Sequence, residues 1–89
     1  MYSFEISPHL QDILAKLLKK DEIKCEEVLK KIEEIINSPN VEHYKNLKHD
    51  LKDEKRVHTG HFVLTFSFIK AENKIIFLDF EHHDNIYGH

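Results

Sequence analysis

The sequence is short of the residues that would mark several whole classes of protein. It has one cysteine, Cys25, in 89 residues. No intrachain disulfide can form, so the chain suits a reducing compartment and a cytoplasmic location is expected. No apolar run approaches the roughly 18 residues that a membrane helix needs. The N-terminus shows no signal-peptide pattern. Glycine and proline occur twice each, and no Gly- or Ser-rich linker divides the chain. Residues 1–89 are therefore expected to form one domain, large enough for a modest core and too small for a deep enclosed pocket. Basic charge is not in excess. Thirteen Lys+Arg stand against sixteen Asp+Glu, a formal net charge of −3. That argues against a general nucleic-acid-coating surface, and no specific DNA binding by the chain alone is expected. Arg56 is the only arginine. There is no Cys-x-x-Cys pair and no helical pair of histidines four apart, so no zinc motif is present. Neither a metal nor any other cofactor is expected.

What is there is unevenly placed. Residues 1–54 hold nine lysines and twelve Asp+Glu, whereas residues 55–89 hold four charges of each sign. The second part also holds five of the eight histidines: His58, His61, His82, His83 and His89. Protonating them on binding an anion would make that half basic.

Tyr2, Phe4 and Ile6 alternate with polar residues and predict a short half-buried strand. Ser7-Pro8 reads as an N-cap followed by proline at the first helical position. Leu10, Ile13, Leu14, Leu17 and Leu18 then recur at helical spacing until Lys19-Lys20. Asp21 starts a second helix whose apolar stripe is Ile23, Val28, Ile32, Ile35 and Ile36, and Asn37-Ser38-Pro39-Asn40 stops it. Val41, Tyr44, Leu47 and Leu51 predict a short helix or an anchored loop, and Asp50 to Glu54 a charged turn. Lys55 to Thr59 form a strand that leads through Gly60 into a hairpin. In its first arm Phe62, Leu64, Phe66 and Phe68 share one face, and Val63, Thr65, Ser67 and Ile69 the other. After the turn at Ala71-Glu72-Asn73, Ile75, Ile76, Phe77 and Leu78 are apolar on both sides, as a central strand would be. That strand ends in Glu81-His82-His83-Asp84, and Tyr87 follows.

The order β-α-α-(short helix)-β-β-β predicts a two-layer α+β domain. An N-terminal helical hairpin packs on one face of an antiparallel sheet and leaves the other face available. Leu14, Leu17, Ile32, Ile36, Phe66 and either Ile76 or Phe77 are expected to meet in the core.

Two groups of residues can carry chemistry. On a strand, Arg56 and His58 share a face and Lys55 lies opposite. Arginine binds phosphate in a bidentate fork that lysine cannot reproduce. His82 and His83, adjacent on a strand, point to opposite faces. If Phe80 and Leu78 are in the core, His82 shares their side. With Tyr87 these histidines can move protons near neutral pH. Cleavage of RNA by its own 2′-hydroxyl needs a base for that hydroxyl, an acid for the leaving 5′-oxygen and cations for the phosphorane-like transition state. Two histidines and an Arg/Lys pair suffice. The same residues also suit an exposed strand with solvated charges, and spacing alone leaves both readings open.

Tyr44…Leu47…Leu51, the run Lys55-Arg56-Val57-His58-Thr59-Gly60-His61-Phe62-Val63-Leu64, the strand Ile75-Ile76-Phe77-Leu78 and the tail His82-His83-Asp84-Asn85-Ile86-Tyr87 together resemble the RelE/ParE toxin superfamily. Within it, the archaeal-type RelE-like mRNA interferases are closest. The resemblance covers nearly the whole chain. It implies the toxin of a type II toxin–antitoxin pair, partnered by a cognate antitoxin. It further implies a ribosome-dependent endoribonuclease that cleaves mRNA on the ribosome by 2′-hydroxyl attack, without a metal ion, and so represses translation. Carried onto this sequence, the catalytic residues would be His83, Tyr87, Arg56 and His58, and the substrate-binding residues Lys55, His61 and His82. One departure stands out. Family members usually carry arginine two or three residues after the glycine, where this chain has Phe62 and Val63. The resemblance also admits a non-catalytic binding protein of the same fold, either antitoxin-pairing or gyrase-directed.

Overall fold

Ser7 fixes where the first helix starts and what it starts on. Its Oγ accepts the Leu10 N–H at 3.0 Å, an N-cap bond, and donates to the Leu78 carbonyl at 2.9 Å, while its own N–H reaches the Phe77 carbonyl at 2.9 Å. One residue thus caps a helix and pins it to the last strand. The computed structural model describes residues 1–44 and 54–84. Leu47, Leu51, most of the expected charged turn and Tyr87 lie outside the described residues. The elements are β1 (Ser3–Ile6), α1 (Pro8–Lys20), α2 (Glu22–Ile36), a 3₁₀ turn (Val41–His43), β2 (Glu54–Thr59), β3 (Phe62–Ile69), a second 3₁₀ turn (Lys70–Glu72) and β4 (Lys74–His82).

The helices follow the sequence signals. Asp21 is the whole link between them: its N–H bonds the Leu17 carbonyl and closes α1, and its side chain accepts the Lys24 N–H and opens α2. Asp21→Ala should therefore cost about 0.5–2 kcal/mol, the usual value of an N-cap. Urea unfolding checks this as a lower midpoint at unchanged slope. The apolar stripe is narrower than the spacing suggests. Leu18 is 53% and Ile23 71% exposed, because both sit beside the Asp21 link, at the tip of the hairpin. Leu10, Val28, Ile32, Ile35 and Ile36 are buried instead, and Ile13, Leu14 and Leu17 pack partly buried around them.

The sheet runs β1-β4-β3-β2. β2, β3 and β4 form the expected antiparallel meander, but β1 pairs with β4 in parallel. The antiparallel sheet read from the sequence is thus corrected to a mixed one. Strand polarity leaves no mark on side-chain alternation, since parallel and antiparallel partners both show period two. Two left-handed residues close the meander's turns, Gly60 (φ 65°) before β3 and Asn73 (φ 53°) before β4.

A register shift between Thr65 and Phe66 pairs Thr65 with Asp79 and Phe66 with Phe77, so Leu78 is the extra residue of a β-bulge. The bulge resets the alternation. Ile75, Phe77 and Phe80 all turn to the helices and are buried. Of the two core alternatives, Phe77 is the one inside; Ile76 is half-buried. Tyr2 ties the sheet to the helix layer. Its N–H reaches the Ile36 carbonyl at 3.0 Å, and its hydroxyl accepts the Val41 N–H at 3.1 Å.

Candidate functional site

The alternation that buries the aromatic core decides which polar side chains lie on the sheet's outer face. Val57 packs with the core, and Lys55 has only 9% exposure and donates from Nζ to the Tyr44 carbonyl at 3.3 Å. Arg56 and His58, between and beyond them, turn outward. Across the sheet, Arg56 pairs with Thr65 and Thr65 with Asp79; one row on, His58 pairs with Val63 and Val63 with Glu81. This face is not bare at its centre. Val63 and Thr65 are buried, at 0% and 3% exposure.

The end of β4 brings the histidines together in two pairs. The His83 N–H bonds the His61 carbonyl at 2.8 Å, which draws the residue after β4 beneath the β2–β3 turn. The His83 ring then lies 5.4 Å from the His58 ring, the planes 33° apart. His82 goes to the other side. Its ring stacks on His61 at 6.2 Å and meets Phe62 edge-on at 5.5 Å. Phe62 in turn stacks on Phe80 at 4.9 Å and lies 5.4 Å below the Lys24 ammonium. So His83, His58 and Arg56 share the outer face, while Lys55, His61 and His82 stand apart from them. His82 does share the side of Phe80, as alternation requires, although Leu78 is out of phase with both.

Asp84 lies between the adjacent histidines. Its carboxylate oxygens are 3.7 Å from His83 Nδ1 and 3.8 Å from His82 Nδ1. The Asp84 N–H also donates to His82 Nδ1 at 3.2 Å. That bond makes Nδ1 an acceptor, so the 3.8 Å approach to the carboxylate carries no proton between the two atoms. Among the described residues, no group of three or more His, Cys, Asp and Glu side chains is arranged to hold a metal ion.

One contact on this face was not visible in the sequence. His9 Nε2 is 3.0 Å from Asp79 Oδ1, with the ring 66% and the carboxylate 25% exposed. Asp79 also accepts the Phe80 N–H at 2.8 Å. The two partners are 70 residues apart. The bulge and the Ser7 anchor bring them together, and neither leaves a sequence signal.

No family model matches the chain. Relatives and solved structures do. A protein of Methanocaldococcus jannaschii named "Putative toxin RelE4" is 52% identical over 88 residues, 98% of this chain and 92% of that one. An uncharacterized protein of Methanosarcina mazei is 40% identical over 88 residues, 98% of this chain and all of that one. The fold superposes on the isolated E. coli RelE toxin with TM-score 0.71, at 18% identity, over 92% of this chain and 84% of that one. Against the intact E. coli RelBE toxin–antitoxin complex the TM-score is 0.72, at 18% identity, over 92% of this chain and 96% of that one. A metal-bound toxin of Helicobacter pylori gives 0.69, at 24% identity, over 96% and 98%. The mixed four-stranded sheet under a helical hairpin and the whole-length identity to the Methanocaldococcus protein agree: this chain belongs to the RelE-like toxin family.

Proposed function

We propose that this chain is the toxin of a type II toxin–antitoxin pair and cleaves mRNA on the ribosome, repressing translation in the cytoplasm. The observation that carries the reading is the pairing of His58 and His83, 5.4 Å apart on the face that also bears Arg56. Histidine exists in both protonation states near neutral pH. A neutral imidazole of this pair takes the proton from the ribose 2′-hydroxyl, and the freed oxygen attacks the adjacent phosphorus. His83, as imidazolium, returns a proton to the departing 5′-oxygen. The products are a 2′,3′-cyclic phosphate and a 5′-hydroxyl. Arg56 steadies the negative charge that gathers on the phosphoryl oxygens. Tyr87 positions the scissile phosphate, the role that the family resemblance gives it. Lys55, His61 and His82 contribute to substrate binding at most from outside this cluster. Primer extension on translating ribosomes tests the cleavage.

The partner follows from the same reading. The E. coli relative is seen in complex with its antitoxin. For this chain we expect the antitoxin to lay an acidic or amphipathic segment across the outer face, near Arg56 and His58. Calorimetry with the product of the neighbouring reading frame should show micromolar or tighter binding. A large negative heat-capacity change is expected, since the segment folds as it binds. No heat at micromolar concentration would reject this partner.

One observation favours the non-catalytic reading. Val63 is fully buried and Phe62 is stacked on Phe80, so neither position offers the phosphate an additional charge. A chain that binds its antitoxin but leaves mRNA whole at every codon would be a binding protein, antitoxin-pairing or gyrase-directed.

A further inference from the structure

The carboxylates on the outer face of the sheet differ in what they already hold. Alternation along β4 turns Asp79 and Glu81 to the side of Arg56 and His58. Asp79 is occupied: it meets His9 Nε2 at 3.0 Å and accepts the Phe80 N–H at 2.8 Å. Glu5, on β1, is paired with Lys74. Glu81 is half-buried, and among the described residues no cation or hydrogen-bond donor meets its side chain. It stands two residues before His83 on the same face. Across the sheet it pairs with Val63, and Val63 pairs with His58. Glu81 and His58 are thus two strand spacings apart, about 9–10 Å, with the fully buried Val63 between them.

A carboxylate in this place works against a phosphate, which Arg56, His58 and His83 favour. Its oxygens accept hydrogen bonds and donate none, so the ligand group it suits is an uncharged donor. The face is therefore sorted. Groups that bind an anion lie along β2 and at His83, and an unoccupied acceptor lies on β4. One nucleotide answers to both, with its phosphate toward β2 and the edge of its base toward Glu81. Among the four bases, guanine alone sets two donors side by side on its Watson–Crick edge, N1–H and N2–H, which match the two oxygens of a carboxylate. Adenine and cytosine place an amino group beside a ring nitrogen that accepts. Uracil flanks its N3–H with two carbonyls. Each of those three sets a lone pair against Glu81.

We infer that Glu81 selects guanine at a nucleotide flanking the scissile phosphate. It is a specificity-determining residue and takes no proton in the reaction. The inference rests on the nuclease reading for the place of the phosphate.

Base selection is tested without cleavage. The 5′- and 3′-monophosphates of guanosine, adenosine, cytidine and uridine are titrated into the full isotope-labelled chain and followed by amide resonances. A guanosine monophosphate should bind about tenfold more tightly than the other three, toward the low end of what a two-bond base contact discriminates. Shifts are expected at Val63, Glu81 and His83. Glu81→Gln, of the same shape, should bring guanosine down to the level of the others, and an unchanged urea midpoint checks its fold. Asp79→Asn should leave the preference in place, because Asp79 already serves His9 and Phe80. Equal binding of all four nucleotides, or binding of none, would overturn the inference. So would a change shared by all four in Glu81→Gln: a common gain makes Glu81 only a repelling charge, and a common loss makes it part of the general site. Primer extension on translating ribosomes separates this inference from the nuclease reading. Cleavage with no bias toward guanine removes the inference alone. A guanosine preference without cleavage at any codon keeps Glu81 as the guanine contact and removes the nuclease.

Discussion

Primer extension on translating ribosomes is expected to show His83→Ala and His58→Ala each cleaving mRNA about 10²–10⁴-fold more slowly than wild type, the ordinary loss for a general acid or base. The argument rests on position. These two imidazoles are 5.4 Å apart on the outer face, and Arg56 precedes His58 by one alternation on the same strand. The double variant should be little slower than either single one, because groups that act as a unit are not additive. Tyr87→Ala should fall in the same range if the tyrosine positions the phosphate. Arg56→Lys should recover only part of what Arg56→Ala loses, since lysine keeps the charge without the fork. A mechanism with one acid and one base also predicts a bell-shaped pH–rate profile, whose acid limb disappears with the base. His82→Ala is the internal control. Its ring rests on His61 and Phe62, so it should lower the unfolding midpoint and change cleavage by less than about tenfold. Wild-type rates in His83→Ala and Tyr87→Ala, or no cleavage by wild type at any codon, would refute the catalytic assignment.

Much of this geometry was legible in the sequence, for reasons that also explain the rest. The two helices announce themselves through Ser7-Pro8, Asp21 and the Asn37–Asn40 stop, because caps act over three or four residues and leave local marks. Parity along β2 placed Arg56 with His58 and Lys55 opposite, and no long-range knowledge was needed. Parity failed at Leu78. A bulge adds one residue without changing composition, so Ile76 and Phe77 looked equivalent until Phe66 was seen opposite Phe77. The polarity of β1 was equally hidden. So was the meeting of His58 with His83, which depends on β3 lying between β2 and β4 and on one backbone bond from His83 to His61. The His9–Asp79 contact needs the bulge and the Ser7 anchor at once. Local chemistry was readable from the chain; what required two distant segments to meet was not.

Phe66→Ala should be the most damaging single change to the fold, at about 3–5 kcal/mol. Phe66 is completely buried, and its ring meets Tyr44 edge-on at 5.7 Å and Phe77 at 5.7 Å. It stands in the middle strand of the meander, where the helix hairpin closes over the sheet. Truncation would therefore open a cavity that no single neighbour can fill, and it would remove two aromatic contacts as well. A domain of this size is stable by only about 5–15 kcal/mol. Each kilocalorie shifts its melting point by about 4–8 °C, so the variant should melt far below wild type or fail to fold at ordinary temperature. Phe66→Leu supplies the graded comparison. It keeps most of the volume and should cost about 1–2 kcal/mol. Leu17→Ala supplies another, and because Leu17 is only half-buried it should fall below the roughly 2–5 kcal/mol range of fully buried leucines. Urea unfolding of the three variants should rank them Phe66→Ala, then the other two well behind. If Phe66→Ala unfolds at the same urea concentration as Leu17→Ala, the core is not centred on the Phe66–Phe77 pair, and the bulged register that sets those two residues opposite each other is wrong.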